Sequence, residues 1–335
     1  MIKKALLFLF SLVLGLVLFF WVGKAVGWHN IKNSLIIFTG WHGLAIFILT
    51  LLMALIGNWK WKEIIRGMSA NISFWQLFKV YLAGYSVRYL APVVIIGAEI
   101  FQGKTLKDKN NIPWPKSMAS IIIDRIMEWT INLLVIFLGT IFFLLAIGLP
   151  PLQTGIICGA FLLILAVLLT FFYFKNFKNE SIAKEVVYLL GKRSLQQPLE
   201  IEQEMFAFFD FKNKRMWTSF GICLLRALVV FLRTWLLIFF LGKSVGPLTA
   251  LSIVGFYHLA MILPIPAALG IHEAIQTFAF KFLKMGLGAA TVFAMIIRAA
   301  ELILSLLGLV FLFRFGVEII TFNFLKKLEL VVKKK

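Results

Sequence analysis

Charged side chains lie inside strongly apolar stretches of this chain, and two of those stretches carry an Arg-x-x-Glu. Asp124, Arg125 and Glu128 sit in one stretch, Arg298 and Glu301 in another. A charge in hydrocarbon costs about 3 kcal/mol or more unless it faces protein or water. Such groups therefore surround something polar. Each Arg-x-x-Glu spacing puts both side chains on one helix face. Two chemistries follow. The pairs are internal salt bridges that hold their helices, or the guanidiniums serve as donors suited to phosphate. In the second case the carboxylates orient the arginines, bind a cationic headgroup portion or take up a proton. Arg226 and Arg233 are seven apart and share about one face of a third apolar stretch, and Arg226 is taken as the site candidate. Snorkelling toward a headgroup is the alternative for both.

Each Arg-x-x-Glu follows a broken segment. Pro92 and Gly97 precede Glu99, with Arg88 just before them. Pro264, Pro266 and Gly270 precede His272 and Glu273. Proline and glycine interrupt a helix and free backbone N–H groups, which attract anions at a half-helix start. Tyr85, Ser86 and Tyr89 are candidate lining residues in the first half, Tyr257 and His258 in the second. Glu99 and Glu273 are 174 residues apart, while Arg125 and Arg298, and Glu128 and Glu301, are each 173 apart. Two matches at a nearly common offset point to an internal duplication.

The elements that must hold these residues are membrane helices. Of 335 residues, 61% are hydrophobic and 15% charged. A soluble protein carries roughly a quarter charged residues. The apolar runs, such as Ala5 to Val22 and Ile131 to Leu149, do not alternate as barrel strands do. Several reach the roughly 20 residues that a spanning helix needs. The fold expected is an all-α polytopic membrane protein. Basic loops set its orientation: Lys3 and Lys4; Lys60, Lys62 and Arg66; Lys104 to Lys116; Lys175 to Arg215; and the terminal lysines. Placing all of them in the cytoplasm puts both termini inside. Segment 76–100 then has to enter and return, and segment 250–283 does the same from the other side. The count is six full transmembrane helices plus two re-entrant broken helices in an inverted internal repeat; eight full spans are the alternative. The first repeat covers 1–149 and the second opens with a span at 150–174. A basic connector at 175–215 is an amphipathic element on the inner surface or a loose loop. Residues 216–320 complete the second repeat, and 321–335 form a basic tail. The start of the chain also has the look of a signal peptide, but its long apolar run and lack of a small-residue cleavage site favour a retained helix.

Several function classes find no support. There is no HExxH, P-loop or glycine-rich dinucleotide motif. Cys158 and Cys223 have no metal-ligand spacing, so no metal or cofactor is expected. The net charge of +19 reads as basic loops against anionic lipid rather than as a nucleic-acid surface.

Two stretches resemble a known family. They are Arg88-Tyr-Leu-Ala-Pro-Val-Val-Ile-Ile-Gly-Ala-Glu99 with Ile122-Ile-Asp-Arg-Ile126, and Leu263-Pro-Ile-Pro-Ala-Ala-Leu-Gly-Ile-His-Glu-Ala274 with Ile297-Arg-Ala-Ala-Glu301. Together they resemble the transmembrane, flippase-like region of lysylphosphatidylglycerol synthases, over roughly residues 10–315. The resemblance implies a lipid-handling membrane domain and carries over to Pro92, Gly97, Glu99, Arg125, Pro264, Gly270, Glu273 and Arg298. It implies no aminoacyltransferase, because the chain ends about twenty residues after its last span. Three departures stand out: Ala268-Leu269 where the family usually has Gly-Gly, His272 in place of an arginine, and Gln102 and Lys104 near a missing arginine. The function expected is translocation of a lipid between leaflets of the inner membrane. The lipid is an anionic or aminoacylated phospholipid or a polyprenyl-linked one. A lipid-headgroup enzyme, or an accessory subunit of an envelope-lipid enzyme, is the alternative. Partners left open are a second copy and a biosynthetic enzyme.

Overall fold

The computed structural model describes residues 40–90, 97–148, 152–178, 180–181, 196–262 and 270–332. The first apolar run with its signal-peptide reading, Pro92, Pro264, Pro266, residues 182–195 of the connector and the last three lysines lie outside the described residues. The described chain is helical throughout: α1 Trp41–Gly67, α2 Phe74–Leu90, α3 Gly97–Asn110, α4 Trp114–Ile147, α5 Leu152–Phe177, α6 Gln196–Phe208, α7 Lys214–Phe240, α8 Pro247–Ile262, α9 Ile271–Phe282 and α10 Leu287–Val332. Four of these are long and apolar enough to cross a membrane: α1, α4, α7 and the Leu287–Phe315 part of α10. The 27 residues of α1 span about 40 Å, more than the roughly 30 Å of hydrocarbon.

Local signals set the helix ends. Pro113 precedes α4, where a missing N–H costs nothing. Gly148 ends α4 at φ 90°, a conformation that glycine takes without strain. The Asn213 side chain accepts the Arg215 N–H at 3.0 Å and so caps α7.

The bundle is inside-out relative to a soluble protein. Leu145 is 76% exposed and Phe313 69% exposed, while Lys60, Arg233 and Glu273 are buried. Apolar surface of that extent belongs against lipid.

Helix α1 packs along α7. His42 meets Phe240 at one end, Thr50 meets Arg233, and Glu63 meets Arg215 near the other, so the two helices run antiparallel. Helices α2 and α3 lie side by side at the Gly67 end of this pair. The start of α2 and the end of α3 share a groove there, and Lys116 donates to the Met68 carbonyl at 2.9 Å. Helices α8 and α9 form a matching hairpin at the Phe240 end. Leu241, Val245, Leu283 and Met285 meet there in one apolar cluster. The two hairpins thus open at opposite ends of the bundle.

Each hairpin packs against a long helix from the other half. Helix α10 lies on α2, with Ser86 donating to the Ser305 carbonyl at 2.5 Å and Tyr89 to the Arg298 carbonyl at 3.1 Å. Helix α4 lies on α8 through Gly139 and Gly255. A Cβ on Gly139 would stand 2.9 Å from the Leu251 carbonyl oxygen and 3.0 Å from Gly255 Cα. A Cβ on Gly308 would collide with the Leu82 carbonyl and the Ser86 hydroxyl. Glycine allows both close backbone approaches.

In the connector, α6 docks on α4. Phe208 and Phe209 are buried among Ile64, Ala119, Ile123 and Met216, and Phe211 is exposed.

Candidate functional site

A cavity of about 220 Å³ lies where the two halves meet. It is walled by α1, α2, α4, α7, α8 and α10, and its charged lining comprises Arg88, Arg125, Glu128, Arg226 and Glu301. Tyr81, Tyr85, Tyr89, Tyr257, Asn132 and His258 add polar groups. Five of the fifteen residues singled out from the sequence therefore line one space.

Helix α4 supplies the densest charge. Arg125 bonds Asp124 at 2.6 Å and Glu128 at 2.8 Å. Arg226 reaches across from α7 to the other Glu128 oxygen, so Glu128 is held between two guanidiniums. Behind Asp124 stands Lys60, 2.9 Å away and 1% exposed. A second cluster faces the first. Glu301 accepts Tyr257 O–H at 2.7 Å and Arg233 at 3.2 Å, and Arg233 also donates to Thr50 at 3.1 Å. Ion pairs this deep repay desolvation only when geometry and extra hydrogen bonds are good, and both clusters supply those bonds. Donors remain to spare. The Nε groups of Arg125 and Arg226, and Nε and Nη2 of Arg233, are buried with no hydrogen-bond acceptor. An unmatched buried donor costs about 1–3 kcal/mol, more when charged.

Two further candidates sit one contact away. Asp124 joins through Arg125. Glu99, in the first turn of α3 that Gly97 begins, lies 3.8 Å from Arg88. Gln102, where the family likeness fails, donates to the Val80 carbonyl and accepts from Arg88 at 3.1 Å.

Several expectations are corrected. Arg298 and Glu301 do not pair with each other, unlike Arg125 and Glu128. Arg298 binds Glu273, and Glu301 binds Arg233. The backbone near Glu273 does not offer a free anion site at Gly270, because the Gly270 N–H donates to Glu273 itself at 2.9 Å. Gly270 takes φ 76° to make that turn. Gly270, His272, Glu273 and Arg298 therefore stand outside the cavity lining. His272 is fully buried with neither ring nitrogen hydrogen-bonded, its ring edge-on to Tyr257 at 5.3 Å. Arg226 and Arg233 do not snorkel; both point inward. Lys60 is not a loop lysine. Helix α1 continues past its apolar block to Gly67 and turns Lys60 onto Asp124.

Sequence reasoning missed the roles of Lys60 and Arg233. The available signal was Arg233 on the Arg226 face. For Lys60 it was the neighbouring Trp59 and Trp61, which extend the amphiphilic helix beyond the apolar run.

The fold and cavity define a polytopic α-helical membrane protein with a charged internal chamber. The chain belongs to the family described as the lysylphosphatidylglycerol synthase TM region, whose profile matches residues 8–308. The match is to that family's membrane region. A membrane protein of the UPF0104 group from Methanocaldococcus jannaschii is 23% identical over 275 residues, covering 78% of this chain and 81% of that protein. No solved structure matches.

Proposed function

We propose that this protein translocates a lipid between the leaflets of the inner membrane, with the polar headgroup passing through the central cavity. The observation that carries the reading is the pair of arginines, Arg125 and Arg226, that line the central cavity and each keep an Nε donor without an acceptor. Arginine presents planar donors that match phosphate oxygens. Glu128 holds both arginines and yields them to an incoming phosphate, after which its own charge repels the departing lipid. Membership of the family supports a lipid as cargo. An anionic or aminoacylated phospholipid, or a polyprenyl-linked lipid, fits the chemistry.

The topology we infer is six crossings and two re-entrant hairpins in an inverted repeat, with both termini cytoplasmic. Support comes from equivalent contacts at one offset. Lys60 and Arg233 are 173 apart, and each is the buried cation of its half. Gln102 and Gln276 are 174 apart and donate to the carbonyls of Val80 and Ile253, themselves 173 apart. The equivalent helices α1 and α7 run antiparallel. Discontinuous helices in inverted repeats are a recurrent transporter design. Basic residues crowd the Gly67 end, which supports placing that end in the cytoplasm.

The test is reconstitution in phosphatidylcholine vesicles with headgroup-labelled phosphatidylglycerol, reading label accessibility to an impermeant quencher. Wild type should exceed empty vesicles. Arg125→Ala and Arg226→Ala should each slow transfer by about tenfold, the worth of one charge-assisted hydrogen bond. Wild-type rates in both variants, purified as folded protein, remove the cavity from the mechanism.

A further inference from the structure

Among the described residues that line the central cavity, His258 is the only histidine. Histidine is the side chain whose charge ordinarily changes between about pH 5 and pH 8. His258 is 9% exposed, and its Nε2 is buried with no hydrogen-bond partner. An unmatched polar atom in a buried wall costs free energy until something in the cavity completes it.

The other charges around this ring are spoken for. Arg226 and Arg233 of α7 bear on it, and so does Glu128 of α4. Glu128 is clasped by Arg125 and Arg226. Glu301, which α10 adds to the lining, is bonded to Arg233 and Tyr257. Helix α2 contributes Arg88. Tyr257, beside His258 at 5.1 Å, meets His272 of α9 on its other contact at 5.3 Å. An imidazolium at position 258 would thus face two guanidiniums with one carboxylate against them, and that carboxylate is already shared by two arginines. A phosphate drawn to Arg226 brings the missing negative charge to the same wall. An opposite charge close by favours the charged form of a group.

We propose that His258 binds a proton together with the anionic headgroup, so that the chamber carries a lipid anion and a proton as one load. This rests on the lipid-translocation reading, because it needs a phosphate in the cavity. The proton comes from water and forms an N–H bond on the ring nitrogen that lacks one; no other reactant takes part. Lipid binding promotes protonation, and protonation promotes lipid binding to the same degree. Release of the phosphate removes the counter-charge and lets the proton go. A proton gradient across the membrane then biases the direction of transfer.

The solubilised full chain in weak buffer, at about the ordinary histidine value of pH 6.5, gives the direct test. Adding short-chain phosphatidylglycerol, a phosphodiester with no proton to exchange there, should draw up to about one proton per bound lipid. Lipid bound by wild type without proton uptake overturns the proposal, and this measurement needs no variant to fold. His258→Gln keeps a polar amide and loses the titrating ring, so it should bind lipid with no uptake. In reconstituted vesicles, wild-type transfer should quicken by about tenfold from about pH 8 to about pH 5.5, a typical coupling between two sites. His258→Gln should give a flat profile. A flat wild-type profile, or the wild-type profile in His258→Gln, overturns the proton site and leaves the lipid reading standing. No transfer at any pH overturns both.

Discussion

At the scale of single residues, the cost of placing charge in hydrocarbon makes the site visible. Asp124, Arg125, Glu128, Arg298 and Glu301 announce themselves because nothing in an apolar helix excuses them. Their partners are not legible. Whether Glu301 meets Arg298 three residues away or Arg233 on another helix depends on how α7 and α10 face each other. Lys60 shows the same limit more sharply, since it reads as a loop residue until the continuation of α1 buries it. The Lys60–Asp124 pair also makes a firm prediction. Asp124→Asn leaves a buried ammonium without its counter-charge and should cost about 3–5 kcal/mol. The thermal midpoint of the solubilised protein checks this. Lys60→Met combined with Asp124→Leu should recover most of the loss, because an apolar pair needs no desolvation. An unshifted midpoint in Asp124→Asn would show that Lys60 is solvated.

At the scale of elements, proline and glycine mark where helices break, so the chain shows two hairpin candidates before any contact is known. Helix α2 and α3 end on either side of one break, α8 and α9 on either side of the other. Which long helix each hairpin grips is hidden. Gly139, Gly255 and Gly308 are unremarkable as single letters, and they matter only because another backbone presses on each. Leucine at 139 or 308 would force α4 from α8, or α10 from α2. Each change should lower stability by about 1–3 kcal/mol or more, the cost of overpacking. Gly221 on the outer face of α7 has no atom near its missing Cβ. Gly221→Leu should stay within about 0.5 kcal/mol of wild type. A melting series on the three variants decides, and equal midpoints would refute the packing assigned to the seams.

At the scale of the whole molecule, two acidic and two basic positions at a shared offset suffice to suggest duplication. They do not reveal its extent. Lys60 and Arg233 differ in type, and Gln102 and Gln276 look like ordinary polar residues until both are seen gripping equivalent carbonyls. Orientation is tested by labelling. In a Cys158→Ser, Cys223→Ser background, a cysteine at Lys107 should react with an impermeant maleimide only from the cytoplasmic side. A cysteine at Lys284 should react only from the opposite side. Labelling of both from one side would contradict an inverted arrangement.

The exchange of long helices between halves has a consequence for autonomy. Because α4 rests on α8 and α10 rests on α2, either half taken alone would expose a bare backbone seam to acyl chains. Neither half is a self-sufficient unit. On the inverted arrangement we propose, a chain of half this length would close its seam by embracing a second copy inserted upside down.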